Sequence, residues 1–143
     1  MPVLETNRLK LRDFAPLDWE AINMVLSDPE VTRYMHFAAW NEEKRREWFA
    51  WCIDNSREPD PDVYNWAVSL KDAGSVIGWF GIGSASHPTM EHERDFGYVL
   101  NRHVWGQGYM TEALRAVLAY EFDVLEPCVS LRPAKQQIVR RHA

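Results

Sequence analysis

The order of hydrophobic patterns along the chain predicts an α+β or layered α/β fold. An alternating segment at residues 8–12 precedes a stretch of helical spacing, and three further alternating segments follow within residues 64–100. Helical spacing returns after residue 108. The 143 residues suit a single domain, and the 46% hydrophobic content is enough for a core. These observations exclude a disordered chain and predict a sheet layered with helices.

The first half of the chain predicts one strand followed by helices. Residues 8–12 alternate polar and apolar side chains, which is typical of a half-buried strand. Apolar residues recur at spacings of three and four over residues 19–26, and a short helical turn is expected over residues 30–35. Asn41 is the expected N-cap of a helix that runs to about Asn55.

The second half predicts three strands and then a helix. Residues 64–70 and 76–82 flank a short turn, which is a hairpin pattern, and residues 94–100 form the third strand. Apolar residues from 113 to 125 then follow helical spacing, with Glu121 as the one polar member of the buried face.

The last segment, residues 127–143, does not continue this pattern. A strand beside the previous one is expected after such a helix. The segment offers only Val129 and Leu131, a proline, and basic residues without a clear period. We therefore expect the next strand to be missing or very weak.

Composition excludes several function classes. Sixteen Lys and Arg against 21 Asp and Glu give a net charge of −5, which argues against a nucleic-acid binder. Cys52 and Cys128 are too few for a disulfide framework or a four-ligand zinc site, and the histidines show no metal-ligand spacing with them. No apolar run is long enough to cross a membrane, and the N-terminus is unlike a signal peptide. We expect a cytoplasmic protein with no metal, membrane or nucleic-acid partner.

Aromatic residues are the compositional oddity, since the chain has seven tryptophans. They indicate either a large aromatic core or an aromatic-lined groove. Tyr34, Phe37 and Trp40, which lie between the early helices, either form a wall of an acceptor pocket or belong to that core.

The most informative segment joins a strand to a helix through a glycine-rich turn at residues 95–113. Gly106 and Gly108 allow a tight turn and a close approach of the backbone to a ligand. The first N–H groups of the following helix lack internal partners and carry partial positive charge, so they suit a phosphate or pyrophosphate. A Gly-x-Gly turn by itself is more often an ordinary connection. A third glycine is absent and no Lys-Ser or Lys-Thr follows, which excludes a Rossmann fingerprint and a Walker A loop.

This turn resembles a known motif. The run WGQGYMTEA at residues 105–113 is similar to the acyl-CoA-binding motif of the GNAT N-acetyltransferases, in the branch that acetylates N-terminal amines of ribosomal proteins. Three other segments resemble that branch: LETNRLKLR at residues 4–12 as its opening strand, LSDPEV at 26–31 and VIGWFG at 76–81. The four matches occur in the family's order and span residues 4–125.

The resemblance implies an acetyl-CoA-dependent N-acetyltransferase with a mixed, mostly antiparallel sheet flanked by helices. Acetyl-CoA would be the co-substrate, and a primary amine of a protein N-terminus or small molecule would attack it directly. Pantetheine would lie along the backbones of Tyr98, Val99 and Leu100. The pyrophosphate would meet the backbone N–H groups of Gly106, Gln107, Gly108, Tyr109, Met110 and Thr111. Met110 replaces a smaller residue, and its side chain is expected to crowd the phosphates.

Acetyl transfer to an amine needs a base and a donor for the oxyanion. Glu91, Glu93 and Asp95 share a strand face by the two-residue period. Asp95 corresponds to an acidic position that precedes Gly-Tyr in the branch, so it is the first candidate for the base and Glu93 is the second. For each of them a solvated acidic strand end is the alternative. A backbone N–H near Leu100 is the expected oxyanion donor.

The family's usual C-terminal strands and helix do not fit the residues after Leu125, which are too few. We therefore divide the chain into an incomplete acyl-CoA-binding domain at 1–125 and an atypical tail at 126–143. Codons one nucleotide downstream over residues 134–142 can encode a family-like segment, so the hypothesis is a frameshifted or truncated enzyme. One alternative is a non-catalytic remnant or interaction module that pairs, as a homodimer, through an exposed strand edge. Another is a different nucleotide-using transferase.

Overall fold

Six strands form one sheet in which each spatial neighbour is also the neighbour in sequence. The computed structural model describes residues 2–84, 93–125 and 130–133. The strands are β1 (Leu4–Glu5), β2 (Leu9–Arg12), β3 (Val63–Leu70), β4 (Val76–Ser84), β5 (Glu93–Leu100) and β6 (Ser130–Pro133). The helices are α1 (Trp19–Leu26), α2 (Pro29–Thr32), α3 (Glu42–Asn55) and α4 (Tyr109–Tyr120), and a π-helical turn at Glu121–Leu125 follows α4.

Strand pairing is antiparallel from β1 to β5 and parallel between β5 and β6. The predicted hairpin is confirmed, because β3 and β4 pair across a turn at residues 71–74. Gly74 has a φ of 70° there, and its N–H donates to the carbonyl of Leu70 at 2.8 Å. Helix α3 also begins where expected, since Oδ1 of Asn41 accepts from the N–H of Lys44. The predicted α+β sheet flanked by helices is therefore confirmed.

The N-terminal segment differs from the single opening strand expected over residues 4–12. It forms a small hairpin, in which β1 pairs antiparallel with β2. The chain reverses at Thr6, whose N–H donates to the carbonyl of Leu9 and whose Oγ1 accepts from the N–H of Leu9, both at 2.9 Å. A hydrogen bond between the side chain of one residue and the backbone N–H of a residue three positions later favours such a turn over a continuous strand.

Helices cover both faces of the sheet. Residues of α1, α2 and α3 pack on the face that carries Ala67, Trp79 and Val99, while α4 packs on the opposite face against β2, β3 and β4. Both cores are rich in aromatic residues, and most of the tryptophans pack in the first. Phe37 is 1% exposed there, and its ring lies 5.6 Å from that of Trp79. Tyr34 is exposed. The core interpretation therefore holds for Phe37.

A strand of four residues follows α4, so the expected strand is short but not missing, where a missing or very weak strand was predicted. Ser130–Pro133 pairs parallel with the first half of β5, from Glu93↔Ser130 to Phe96↔Pro133. Strand β6 was not predicted because its four residues pair with β5 through backbone groups, and such pairing needs no long hydrophobic pattern. The edge expected to be exposed is covered over this half of β5. Residues 126–129 and 134–143 lie outside the described residues, so the frameshift hypothesis and the boundary at 125 stay predictions.

The helices in the described ranges were compared with the requirements of a membrane span. None of their helices combines the length and the apolar composition that a membrane span needs.

Candidate functional site

Two left-handed glycines connect β5 to α4. Gly106 has a φ of 79° and Gly108 a φ of 78°, a region that side chains disfavour. Gly108 is the N-cap of α4 and brings no capping side chain, so the N–H groups of the first turn keep their partial positive charge. A Cβ built on Gly106 would meet no atom within 4 Å. The turn is therefore open above its glycines.

Trp105 fixes this turn to the end of β5. Its indole N–H donates to the carbonyl of Leu100 at 2.8 Å, and its ring packs against both hydrophobic cores. The sequence analysis did not include Trp105 among the site residues. Its position directly before the first glycine was the available signal, because a large ring there can anchor an otherwise mobile turn.

The three candidate pantetheine-binding residues place their side chains in the interior. Val99 and Leu100 are 0% exposed and lie on opposite faces of the sheet. Tyr98 stacks on the ring of Phe80, and burial raises the pKa of its hydroxyl. These side chains serve the core, so any contact of this segment with a ligand would use the backbone. β5 continues four residues beyond its ladder with β6.

An open groove of about 770 Å³ lies between the glycine turn and the N-terminal hairpin. Its volume is within the range of small-molecule sites. The groove is lined by Glu5, Thr6, Arg8, Gly106, Gly108, Thr111, Glu112, Arg115 and Ala116. Three of the residues predicted to bind pyrophosphate therefore share it: Gly106, Gly108 and Thr111.

Glu112 ties the hairpin to the first turn of α4. Its carboxylate accepts hydrogen bonds from the hydroxyl of Thr6, from the N–H of Arg8 at 3.0 Å and from Nε of Arg8 at 2.8 Å. Burial acts to raise the pKa of this carboxyl, but the hydrogen bonds from Thr6 and Arg8 outweigh it and lower the pKa. Sequence reasoning did not assign Glu112, although both segments that it joins were recognised as family-like.

The comparisons agree with this geometry. A family model described as the acetyltransferase (GNAT) domain matches residues 8–138. The chain belongs to the GNAT acetyltransferase family.

Similar proteins are found among curated sequences and solved structures. The uncharacterized N-acetyltransferase p20 of Bacillus licheniformis is 30% identical over 126 residues, which cover 87% of this chain and 68% of that protein. The FsC-acetyl coenzyme A-N(2)-transacetylase of Aspergillus fumigatus is 28% identical over 135 residues, with 87% and 54% covered. A GNAT-family acetyltransferase structure from Bacillus anthracis superposes with a TM-score of 0.70 at 26% identity and covers 87% of this chain and 68% of its own. The chain thus spans about two thirds or less of these relatives.

In this GNAT acetyltransferase, the family-like segment at residues 26–31 contacts the segment that leads to the glycine turn. Nε of Arg102 lies 2.8 Å from Oδ2 of Asp28, and Oδ1 of Asp28 accepts from the N–H of Glu30 at the start of α2. Asp28 therefore caps α2 and holds the α1–α2 connection against the segment that leads to the turn.

The candidate bases of this acetyltransferase lie on the first half of β5. Asp95 is half-buried, opposite Gly83 on β4 and Arg132 on β6. The backbone of Glu93 pairs with Ser130, and Glu91 lies outside the described residues. Asp95 is not among the residues that line the groove in front of α4, so the catalytic role of these residues stays a proposal.

Asn65 is a buried amide on the same face of the sheet as Asp95. The indole N–H of Trp79 donates to Oδ1 of Asn65 at 2.8 Å, and because an indole only donates, this bond fixes which end of the amide is the oxygen. Nδ2 of Asn65 is buried and has no hydrogen-bond partner in the part of the chain that the structure describes. The hydrophobic pattern of β3 gave no signal for it.

Met110 does not crowd the candidate phosphate site, which corrects the expectation from its size. Its side chain is 1% exposed and packs in the core beneath α4. The backbone N–H of Met110 remains at the first turn of the helix. Its side chain points away from the groove because the 3.6-residue period of the helix places Met110 on the buried face with Ala113 and Val117.

Thiol and metal sites are not apparent within the described ranges. Cys52 is buried in the core, and burial raises the pKa of its thiol, which makes it a poor nucleophile. No group of three or more His, Cys, Asp or Glu side chains that could hold a metal occurs in residues 2–84, 93–125 and 130–133.

Proposed function

We propose that this GNAT acetyltransferase transfers the acetyl group of acetyl-CoA to a primary amine of a protein N-terminus or small molecule. The observation that carries the proposal is the glycine turn, whose open backbone N–H groups share a groove with Arg8 and Arg115. An anionic cofactor end would be stabilised there by charge and by hydrogen bonds. We propose a cytoplasmic location, and this transfer chemistry requires no metal ion.

Residues of β5 and of the glycine turn would bind different parts of acetyl-CoA. The backbones of Tyr98, Val99 and Leu100 would pair with pantetheine, and the N–H groups of residues 106–111 would bind the pyrophosphate. The amine nitrogen would attack the thioester carbonyl, while a backbone N–H near Leu100 would stabilise the oxyanion. Collapse of the tetrahedral intermediate would expel the CoA thiolate.

Asp95 is the proposed base, and Glu93 is the second candidate. The base would take the amine proton through water before attack. Its half-buried position on β5, beside the strand segment that would hold the thioester, supports the choice of Asp95. The similar Aspergillus fumigatus protein, named for N(2)-transacetylation with acetyl coenzyme A, supports an amine acceptor. The family-like segments of the chain favour an N-terminal amine.

Calorimetric titration of acetyl-CoA tests the cofactor site. We expect saturable binding that Gly108→Trp abolishes, because the indole would fill the groove. Gly74→Trp is the control: Gly74 has a similar φ of 70° and a Cβ there would meet no atom within 4 Å, but it lies in the β3–β4 turn. Absence of binding by the folded wild-type chain would contradict the proposal.

Release of CoA thiol in the presence of candidate amines tests the chemistry. We expect Asp95→Asn to lower kcat by about 10²–10⁴-fold, the usual contribution of a general base. Asp72→Asn, in the exposed β3–β4 turn, is the control and should leave kcat unchanged. Binding of acetyl-CoA without turnover of any amine would favour the non-catalytic remnant.

A further inference from the structure

The groove in front of α4 contains an arginine whose orientation the fold fixes. Nε of Arg8 donates to Oε1 of Glu112 at 2.8 Å, and the guanidinium carbon lies 4.3 Å from the centroid of the Tyr109 ring. A carboxylate therefore holds one edge of the guanidinium, and an aromatic ring covers one face. The outer edge carries the two terminal nitrogens, which form no hydrogen bond within the described residues.

This outer edge lies beside the glycine turn. A Cβ built on Gly108 would be 3.6 Å from Nη2 of Arg8, an ordinary contact distance, so the guanidinium is next to the residue that caps α4. Arg115 is exposed and lines the same groove one turn further along the helix. Two cations and the N–H groups of the first helical turn thus border one open space, together with the carboxylates of Glu5 and Glu112. The carboxylate of Glu112 is bonded to Arg8, and that of Glu5 lies 3.7 Å from Nζ of Lys71.

We propose that Arg8 is a phosphate-binding side chain of the cofactor site and that Glu112 is the positioning residue that aims it. The inference rests on the proposed function, because it takes CoA as the ligand. Arginine suits the role since the planar edge of a guanidinium matches the oxygens of a phosphate, and Glu112 restricts its rotamers before the ligand arrives. The pyrophosphate and the 3′-phosphate of CoA present the same chemistry to Arg8.

Titration with CoA and with dephospho-CoA, which lacks the 3′-phosphate, tests this assignment. We expect Arg8→Met to weaken CoA binding about tenfold or more, as for a lost charge-assisted contact. An equal loss for both ligands identifies the pyrophosphate as the partner, and a loss for CoA alone identifies the 3′-phosphate. Arg57→Met makes the same charge change at an exposed site after α3 and should bind both ligands as the wild type does.

The two proposals fail in different ways. If the folded wild type binds neither CoA nor dephospho-CoA, the proposed function is overturned together with this inference. If the wild type binds CoA and Arg8→Met binds it equally well, only the role of Arg8 is overturned.

The positioning role of Glu112 is tested by CoA affinity and its salt dependence, because a purely structural role would also change stability. We expect Glu112→Gln to weaken CoA binding severalfold and to flatten the dependence of log Kd on log salt concentration, because Arg8 loses its fixed orientation. Arg8→Lys, which keeps the charge without the planar edge, should fall between the wild type and Arg8→Met, and it provides the test if Arg8→Met does not fold. A Glu112→Gln chain that melts earlier but binds CoA with unchanged affinity and salt dependence would reduce Glu112 to a structural role.

Discussion

A glutamate lies close to an arginine at each end of helix α4, but among the described residues only one of the two glutamates accepts hydrogen bonds. At its first turn, Glu112 meets Arg8 and accepts three hydrogen bonds. Just beyond its last turn, Glu121 is 0% exposed and lies 3.6 Å from Nε of Arg94, and neither of its oxygens has a hydrogen-bond partner in the described residues. Arg94 lies on β5, and Arg8 lies in the turn between β1 and β2.

A buried ion pair stabilises a fold only where its hydrogen bonds are also made, and the two pairs differ in this respect. Hydrogen bonds to Glu112 outweigh its burial and lower the pKa, whereas burial of Glu121 outweighs the charge of Arg94 and raises the pKa. The satisfied pair lies beside the proposed cofactor groove, where a fixed arginine is useful. The unsatisfied pair lies at the π-helical turn, on the half of β5 that pairs with β6.

Loss of the satisfied carboxylate should have the largest effect. Glu112→Ala leaves the Thr6 hydroxyl and two N–H groups of Arg8 without their acceptor, and we expect a loss of about 3 kcal/mol in the free energy of unfolding, since hydrogen bonds to charged groups contribute roughly 1.5–3 kcal/mol each. Urea denaturation measures it. Glu30→Ala removes an exposed partner of Arg33 and should change the midpoint far less. Equal effects of the two substitutions would contradict the comparison.

Removal of the unsatisfied pair should instead stabilise the protein. We expect the double substitution Arg94→Met with Glu121→Leu to raise the free energy of unfolding by about 1–3 kcal/mol. The reason is that apolar side chains, which pack in the core, replace two ionisable groups with buried atoms that lack hydrogen-bond partners in the described part of the chain. Either substitution alone should destabilise, since it leaves one buried group without its partner. The four chains form a double-mutant cycle in urea. A double variant less stable than the wild type would contradict this prediction.

The pH dependence of stability should separate the two glutamates by sign. Glu112 has a folded pKa below the ordinary 4.5, so its contribution is present above pH 4.5 and is lost as the pH falls through the folded value. Glu121 has a raised folded pKa, so stability is lost as the pH rises from 4.5 through that value. Urea midpoints from pH 3 to 7 should therefore fall less steeply on acidification in Glu112→Gln than in the wild type. They should fall more steeply in Glu121→Gln.

The smallest effects are expected at the glycine turn that precedes Glu112. Gly108→Ala should lower the free energy of unfolding by about 1 kcal/mol, because the left-handed φ of 78° strains a residue with a Cβ while the space is sufficient. Gly108→Asn should lose less, since asparagine tolerates this conformation. Thermal melts distinguish them. A loss several times larger in both would mean that space, and not φ, limits the position.

Much of the fold was predictable because its signals are local. The β3–β4 hairpin, the third strand and helix α3 with its Asn41 cap follow from the period and capping type of consecutive residues. The turn at Gly106 and Gly108 was likewise predicted from residue type, and both glycines have positive φ. Strand β6 was missed because four residues that pair through their backbone leave almost no pattern.

The candidate site was predictable only in part. The sequence identified the turn and the family-like segments around it, but it gave no reason for Glu112, whose partner Thr6 is 106 residues away along the chain. It also misjudged Met110, because size indicates crowding only when the direction of the side chain is known. The roles of Asp95 and Glu93 stay predictions.

By itself, the sequence determined most of the strands and helices, though not the β1–β2 hairpin or β6, and it determined where the backbone can turn sharply, since neighbouring residues decide those properties. Only the tertiary structure decided that the carboxylate of Glu112 has hydrogen-bond donors around it and that the buried carboxylate of Glu121 has none among the described residues. Hydrogen bonds require partners at about 3 Å with correct direction, and helix packing alone sets that geometry for residues distant in sequence. The same packing turned Arg8, an unremarkable charge beside a short strand, into a fixed cation at the mouth of the groove.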